Sequence, residues 1–331
     1  MKGKILVLSS LTCLFSGALF GQQDKLITHF MYDKMSLNPA ATGINEGFCA
    51  TSIYRNQWDK VNGAPNSAVL NLEGNINDIF PIIGGGVGIS FYHDAIGFTR
   101  QNNLLLNYSY QYQVDNVGTF AAGIGLGFQN MSLNPDWVPP TSTPDNSLPV
   151  GWGATKLDLN GGIYFKSYSG WYAGLSSTHL SAPRLEPGES TATNPISFDQ
   201  ARHYYAMGGY TFNGIGNNGQ IETNALVRTD LVKASADINA RYIWDYKIYG
   251  GLSYRFSDAV SVMGGADILK LIKSPSVGEN TSTDHFIVGY AYDFTINKLS
   301  NISQGSHEIL MKYCYYLPPV PIAKSKHPRW L

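Results

Sequence analysis

The chain has 331 residues, a formal net charge of -1 and only 14% charged residues, so it lacks the basic excess that phosphate backbones require, which argues against nucleic acid as a partner. Aromatic residues reach 13%, and 35 glycines are spread through the chain instead of gathering in linkers, a balance that favours a membrane β-barrel over a soluble β protein. Beyond the first residues there is no run near the ~18 apolar residues a spanning helix needs, and length alone does not signal a second domain.

Residues 1–21 have the layout of a cleaved secretory signal: Lys2 and Lys4, the apolar run Ile5 to Phe20, then small residues near Gly21. Ser10-Leu11-Thr12 before Cys13 departs from a lipoprotein box, because Thr12 is larger than the usual Gly or Ala. Residues 22–46 form an amphipathic lead carrying Phe30, Met31, Tyr32, Met35 and Leu37, and ending in the turn-like Asn38-Pro39-Ala40-Ala41-Thr42-Gly43. It is expected to be a periplasmic cap over the barrel's inner mouth or a small plug.

Strand-like segments then fill 47–317, at roughly 47–57, 67–74, 84–92, 102–114, 118–130, 156–167, 171–179, 202–212, 219–228, 235–243, 247–256, 260–268, 284–294 and 307–316. Two of them carry the clearest signal. Leu104, Leu106, Tyr108, Tyr110 and Tyr112 alternate with Asn107, Ser109, Gln111 and Gln113; after the turn at Asp115-Asn116, Phe120, Ala122, Ile124, Leu126 and Phe128 alternate with Ala121, Gly123, Gly125, Gly127 and Gln129. A period of two places each apolar set on one face of a strand, and about 9–11 residues is the length of a tilted outer-membrane span. The expected fold is all-β: a transmembrane antiparallel barrel of about 14 strands, an even number as in bacterial single-chain barrels. A soluble sandwich would bury the same faces between two sheets. Counting from the periplasm, the long connections 131–155 and 180–201 fall outside, whereas Leu269 to Thr283 falls in the periplasm despite its length, so either that side carries one long loop or the count is off by a strand. Residues 318–331 are left as a periplasmic tail.

Several ordered motifs resemble the PorP/SprF family of type IX secretion outer-membrane proteins. They begin with His29-Phe30-Met31-Tyr32 and Leu37-Asn38-Pro39-Ala40-Ala41-Thr42-Gly43, followed by Arg55-Asn56-Gln57-Trp58 and Gly86-Val87-Gly88-Ile89. Gly289-Tyr290-Ala291-Tyr292-Asp293, Gly305-Ser306-His307-Glu308-Ile309 and the tail His327-Pro328-Arg329-Trp330 complete the series. The resemblance implies a non-enzymatic barrel in the outer membrane of a diderm bacterium. Its implied partners are outer-membrane lipid, the type IX machinery, and secreted cargo such as gliding adhesins held through their C-terminal domains. A porin or a transporter of small hydrophobic solutes is the competing reading of the same alternation. The motif residues Asn38, Pro39, Gly43, Arg55, Gln57, Trp58, Tyr290, Asp293, His307 and Glu308 are expected to be structural.

Cys49 and Cys314 are the two cysteines beyond the signal, in an exported and therefore oxidising setting. Closure pairs the first strand with the last, which puts both on luminal faces near one end. A disulfide across the seam is one outcome, two unpaired small residues the other. Arg55, Asp158, Lys166, Asp237, Arg241, Arg255, Asp293 and Glu308 alternate with apolar residues and are expected to face the lumen, as paired or solvated charges. No Gly-x-Ser-x-Gly elbow and no His-x-x-x-His or Cys-x-x-Cys spacing occurs, so no enzyme, cofactor or metal site is expected; a triad gathered from separate strands is the remaining route. Trp137, in Asn134-Pro135-Asp136-Trp137-Val138-Pro139-Pro140, is the candidate cargo contact, with an interfacial anchor as its alternative.

Overall fold

In the computed structural model, residues 25–45, 47–77, 84–136, 151–186, 197–216, 218–272 and 284–316 are described. The lead contains a short helix, α1 (Lys34–Leu37), between 3-10 turns at Phe30–Tyr32 and Pro39–Ala41. The strands follow as β1 (Phe48–Asn56), β2 (Asn66–Asn75), β3 (Gly86–Ile96), β4 (Thr99–Val114), β5 (Gly118–Leu133), β6 (Trp152–Ser167) and β7 (Trp171–Thr178). A two-residue pair, β8 (Arg184–Leu185) with β9 (Phe198–Asp199), interrupts the series before β10 (His203–Ile215), β11 (Gly219–Thr229), β12 (Ala234–Trp244), β13 (Ile248–Arg255), β14 (Ala259–Asp267), helix α2 (Ile268–Ile272), β15 (His285–Thr295) and β16 (Ser306–Tyr315).

All strands except β8 and β9 close into one antiparallel barrel in chain order, with β1 bonded to β16. Fourteen strands therefore form the wall, the number expected from the alternation, and closure leaves no open sheet edge to lipid. β14 and β15 are bonded neighbours in the closed wall, so the long connection between them starts and ends on the side on which the chain leaves β16. We call that end, where the lead joins β1, the inner end, and the opposite one the outer end.

The period-two pattern sorts the two faces as expected. Along β5, Phe120, Ile124, Leu126 and Phe128 are exposed on the outside, while Thr119, Ala121 and Gln129 are buried within. Leu105, which interrupts the polar side of β4, points inward and is buried with Asn103 and Asn107. Large apolar side chains such as Leu106, Ile163 and Leu252 cover the outer surface, an area of exposure that a soluble protein does not tolerate and a lipid bilayer covers. The turn at Asp115-Asn116 works because Asn116 takes a left-handed φ of 60°, a conformation asparagine accepts more readily than most residues.

Candidate functional site: the filled lumen

Residues 25–45 run through the lumen from the outer half of the wall to the inner end. At the top, the Lys25 carbonyl accepts from Arg228 Nη1 at 2.9 Å, near the outer end of β11. At the bottom, Gly43 sits against the inner ends of β2 and β3. Its φ is +61°, and a β-carbon there would lie 2.6 Å from the Gly74 oxygen and 2.7 Å from the Gly86 Cα, so only glycine fits. Its amide donates to Glu73 at 2.8 Å.

Between these ends the lead has no strand to pair with, and its backbone polar groups are met by luminal side chains instead. Ser176 Oγ donates to Leu37 O at 2.7 Å, Ser109 Oγ to Ala40 O at 2.9 Å, and Gln111 Nε2 to Thr42 O at 3.0 Å. Asn38 works in both directions, capping Ala40 N through Oδ1 at 3.0 Å and donating from Nδ2 to Ile163 O at 2.9 Å. Pro39 opens the turn that follows, where its missing N–H costs nothing. The wall is small where the lead is close: a β-carbon on Gly123 would lie 2.3 Å from Ala40 N, and one on Gly162 would lie 2.2 Å from Asn38 Oδ1. Gly125 and Gly127 serve the wall itself, facing Asn107 and the β4 backbone. Phe30, Leu37, Ala40 and Ala41 pack with Tyr164, Tyr205, Met207 and Leu226, and Met31 packs with Tyr249 and Met263. Lys34 Nζ lies 3.6 Å above the Tyr172 ring, and the barrel walls around this half-buried side chain pull its ammonium down to about 7.

The charges gather where the seam closes. Arg55 on β1 is in register with Glu308 on β16. Its guanidinium reaches Glu308 Oε2 at 3.1 Å and Asp293 Oδ2 at 2.6 Å, all three side chains being at most 2% exposed. Arg55 faces both carboxylates, and the lead adds hydrogen-bond donors to each. Thr28 N and His29 N donate to Glu308 at 2.8 and 2.7 Å, His29 Nδ1 lies 2.7 Å from the same carboxylate, and Thr28 Oγ1 donates to Asp293 at 2.9 Å. Of the four hydrogen bonds reaching Glu308 among the described residues, three come from the lead. The pairing continues along the wall: Arg255 bonds Asp293 at 3.4 Å and Asp237 at 2.9 Å, and Asp237 also pairs with Arg228. Three acids and three arginines alternate, so buried charge is neutralised locally.

The remaining expected residues fall as follows. Cys49 and Cys314 are joined in a disulfide, in register and 4.1 Å apart at Cα, at the inner end of the seam that Arg55 and Glu308 close near its outer end. Gln57 is buried, with its amide on Pro65 O at 2.9 Å, and Trp58 N donates to Ser306 Oγ at 3.1 Å, which extends the seam into the outer loops. Tyr290 and His307 bond each other at 2.7 Å on the outer face of the wall, away from Asp293 and Glu308. Lys166 donates to Asn45 at 2.8 Å, Arg241 pairs with Glu222 and lies 4.5 Å from the Tyr32 ring, and Asp158 meets His179 at 2.8 Å. Trp137 lies outside the described residues, as do the signal segment and the C-terminal tail. Thr28, Arg228 and Tyr249 were not singled out from the sequence, and His29, whose Nε2 lies 3.2 Å from the Tyr249 hydroxyl, was read only as part of a family-like motif. Arg228 shares the inward period of Asn224 and Leu226, a signal that was available; Thr28 and His29 carry no periodic mark. Among the described residues no cluster of His, Cys, Asp and Glu is arranged for a metal ion.

A closed barrel with an apolar outer belt and a lumen occupied by its own N-terminal lead defines an outer-membrane-type barrel protein. The family model for the type IX secretion system membrane protein PorP/SprF matches residues 19–313, and the chain belongs to that family. Among solved structures, the CymD monoaromatic hydrocarbon channel is similar with a TM-score of 0.51 at 13% identity, over 86% of this chain and 92% of that one. The outer membrane protein Omp33 of Acinetobacter baumannii aligns at 0.45 and 8% identity, over 83% of this chain and all (100%) of that one. A Pseudomonas aeruginosa FadL homologue aligns at 0.42 and 10%, over 84% and 92%. At these identities the likeness is one of fold. No curated protein matches the chain in sequence.

Proposed function

We propose that this barrel is a non-enzymatic component of type IX secretion, set in the outer membrane after cleavage of an N-terminal signal, that binds, helps secrete or anchors secreted surface proteins through their C-terminal domains. Gliding adhesins are the cargo class the family suggests. The observation that carries the reading is the filled lumen. Lead and wall are joined by buried hydrogen bonds and ion pairs from the outer half of the barrel to its inner end, an arrangement that suits a holder better than a conduit. Catalysis has no support from the buried charges, which neutralise one another. The likeness to a hydrocarbon channel is a likeness of wall, and it favours no solute.

Deleting the gene tests the role: surface display of at least one type IX substrate should be lost. Unchanged display of every substrate contradicts it. Trp137 is proposed as a contact, so Trp137→Ala should weaken cargo capture while barrel assembly stays intact.

A further inference from the structure

The lead touches the barrel in a pattern that a stopper does not require. It is hydrogen bonded to, or packed in a common cluster with, residues of every strand of the wall: Arg55, Glu73, Ser109, Ser176, Asp293 and Glu308 are among its bonding partners, and Tyr205, Leu226 and Met263 among its packed ones. Its hydrogen bonds, as distinct from its packing, are most concentrated beside the one strand pair whose members are farthest apart in the chain. At that seam Thr28 accepts from Arg55 at 3.0 Å on the first strand, donates to Asp293 on β15, and presents its amide to Glu308 on the last strand. Thr28 and His29 lie in the lead that runs into β1, and Thr28 bonds Arg55 of that strand, whereas β15 and β16 follow some 280 residues later by the Thr28–Glu308 separation. Bringing such distant ends together costs loop-closure entropy before any contact repays it.

We infer that residues 25–45 are the internal template on which the β1/β16 seam closes. Arg55 and Thr28 together form the half-site on the first strand; Asp293 and Glu308 are the acids it captures. The Cys49–Cys314 bond then locks the inner end of the same seam. A template of this kind stays in place in the finished barrel, which is why its contacts are buried and its charges paired.

The test follows the full chain as it refolds from urea into phosphatidylcholine vesicles in the presence of glutathione disulfide. Far-UV circular dichroism reads strand formation. Seam closure is read by quenching and alkylation, because the Cys49 and Cys314 thiols meet only when β1 pairs with β16. They then pass two protons and two electrons to glutathione disulfide, which leaves as two glutathione thiols. Gly123→Leu blocks the lead's seat four strands away from β1 in the wall order, without touching the seam. Thr28→Val keeps the seat and removes the hydroxyl that links Arg55 to Asp293. Both variants should close about tenfold more slowly while strands form at the normal rate, the size expected when roughly one charge-assisted hydrogen bond leaves the closing step. Gly250→Leu, where a β-carbon meets nothing within 4 Å, is the control and should close normally. Normal closure in both lead variants overturns the inference. So does slowing of strand formation in parallel with closure, which would make the lead an ordinary piece of core.

Discussion

Removing the Glu308 carboxylate is the most exacting perturbation of the seam. In Glu308→Ala, the amides of Thr28 and His29 and the His29 ring lose their acceptor, while Arg55 Nη1 keeps Thr28 Oγ1, in a place where the three side chains of Arg55, Asp293 and Glu308 are at most 2% exposed. A buried donor left unmet costs roughly 1–3 kcal/mol, so three of them cost about 3–6 kcal/mol, toward the lower end because water follows the truncated side chain. Glu308→Gln keeps one acceptor oxygen and should lose about half as much. The assay is the urea midpoint of the folded, heat-modifiable form in detergent, with the slope checked for constancy so that the shift converts to free energy. A change below about 1 kcal/mol in Glu308→Ala, the ordinary effect of a surface substitution, would refute the claim that lead and seam are bonded as described.

Other expectations are simpler. Reducing the Cys49–Cys314 bond should lower the urea midpoint without dismantling the barrel; at a sequence separation of 265, the chain-entropy loss is at most about 5–6 kcal/mol. An unchanged midpoint in reductant would show that the bond does not constrain the unfolded chain. Lys34 should make lead docking pH-dependent. Its ammonium falls from 10.5 to about 7 when docked, so the docked lead binds fewer protons than the released one between these values and docking tightens as pH rises through that window. Hydrogen-exchange protection of residues 25–45, corrected for intrinsic rates, should rise with pH in the native chain and stay flat in Lys34→Met. In planar bilayers the purified barrel should stay mostly closed; steady porin-sized conductance would support the solute-transport alternative instead.

The wall was legible in the sequence because lipid outside and packed polar groups inside impose a strict period of two. Strand ends were less so. β4 begins at Thr99 and β6 at Trp152, earlier than the alternation suggests. Around Arg100, Gln101 and Asn102 the side chains are polar on both faces and none is buried, so the period that marks a span disappears while the ladder continues. Closure puts Cys49 and Cys314 on adjacent strands, since the last strand is the one neighbour left to β1 besides β2, and the register of that pair then sets them opposite each other. The path of the lead was not legible. Its residues follow neither period, its turns are short, and the partners of Thr28 and His29 lie at the far end of the chain. Arg55, Asp293 and Glu308 were readable as luminal charges, but their convergence on one cluster depends on closure and on a lead whose position no local signal gives.

The claim that matters most is that this filled barrel holds a secreted protein. Affinity purification of the tagged full chain from detergent-solubilised outer membranes, followed by mass spectrometry, tests it most directly. The account predicts recovery of a large secreted protein bearing a type IX C-terminal domain, in amounts comparable to the barrel and lost on deletion of that domain. Recovery of the barrel alone, from cells that display such proteins normally, would contradict it.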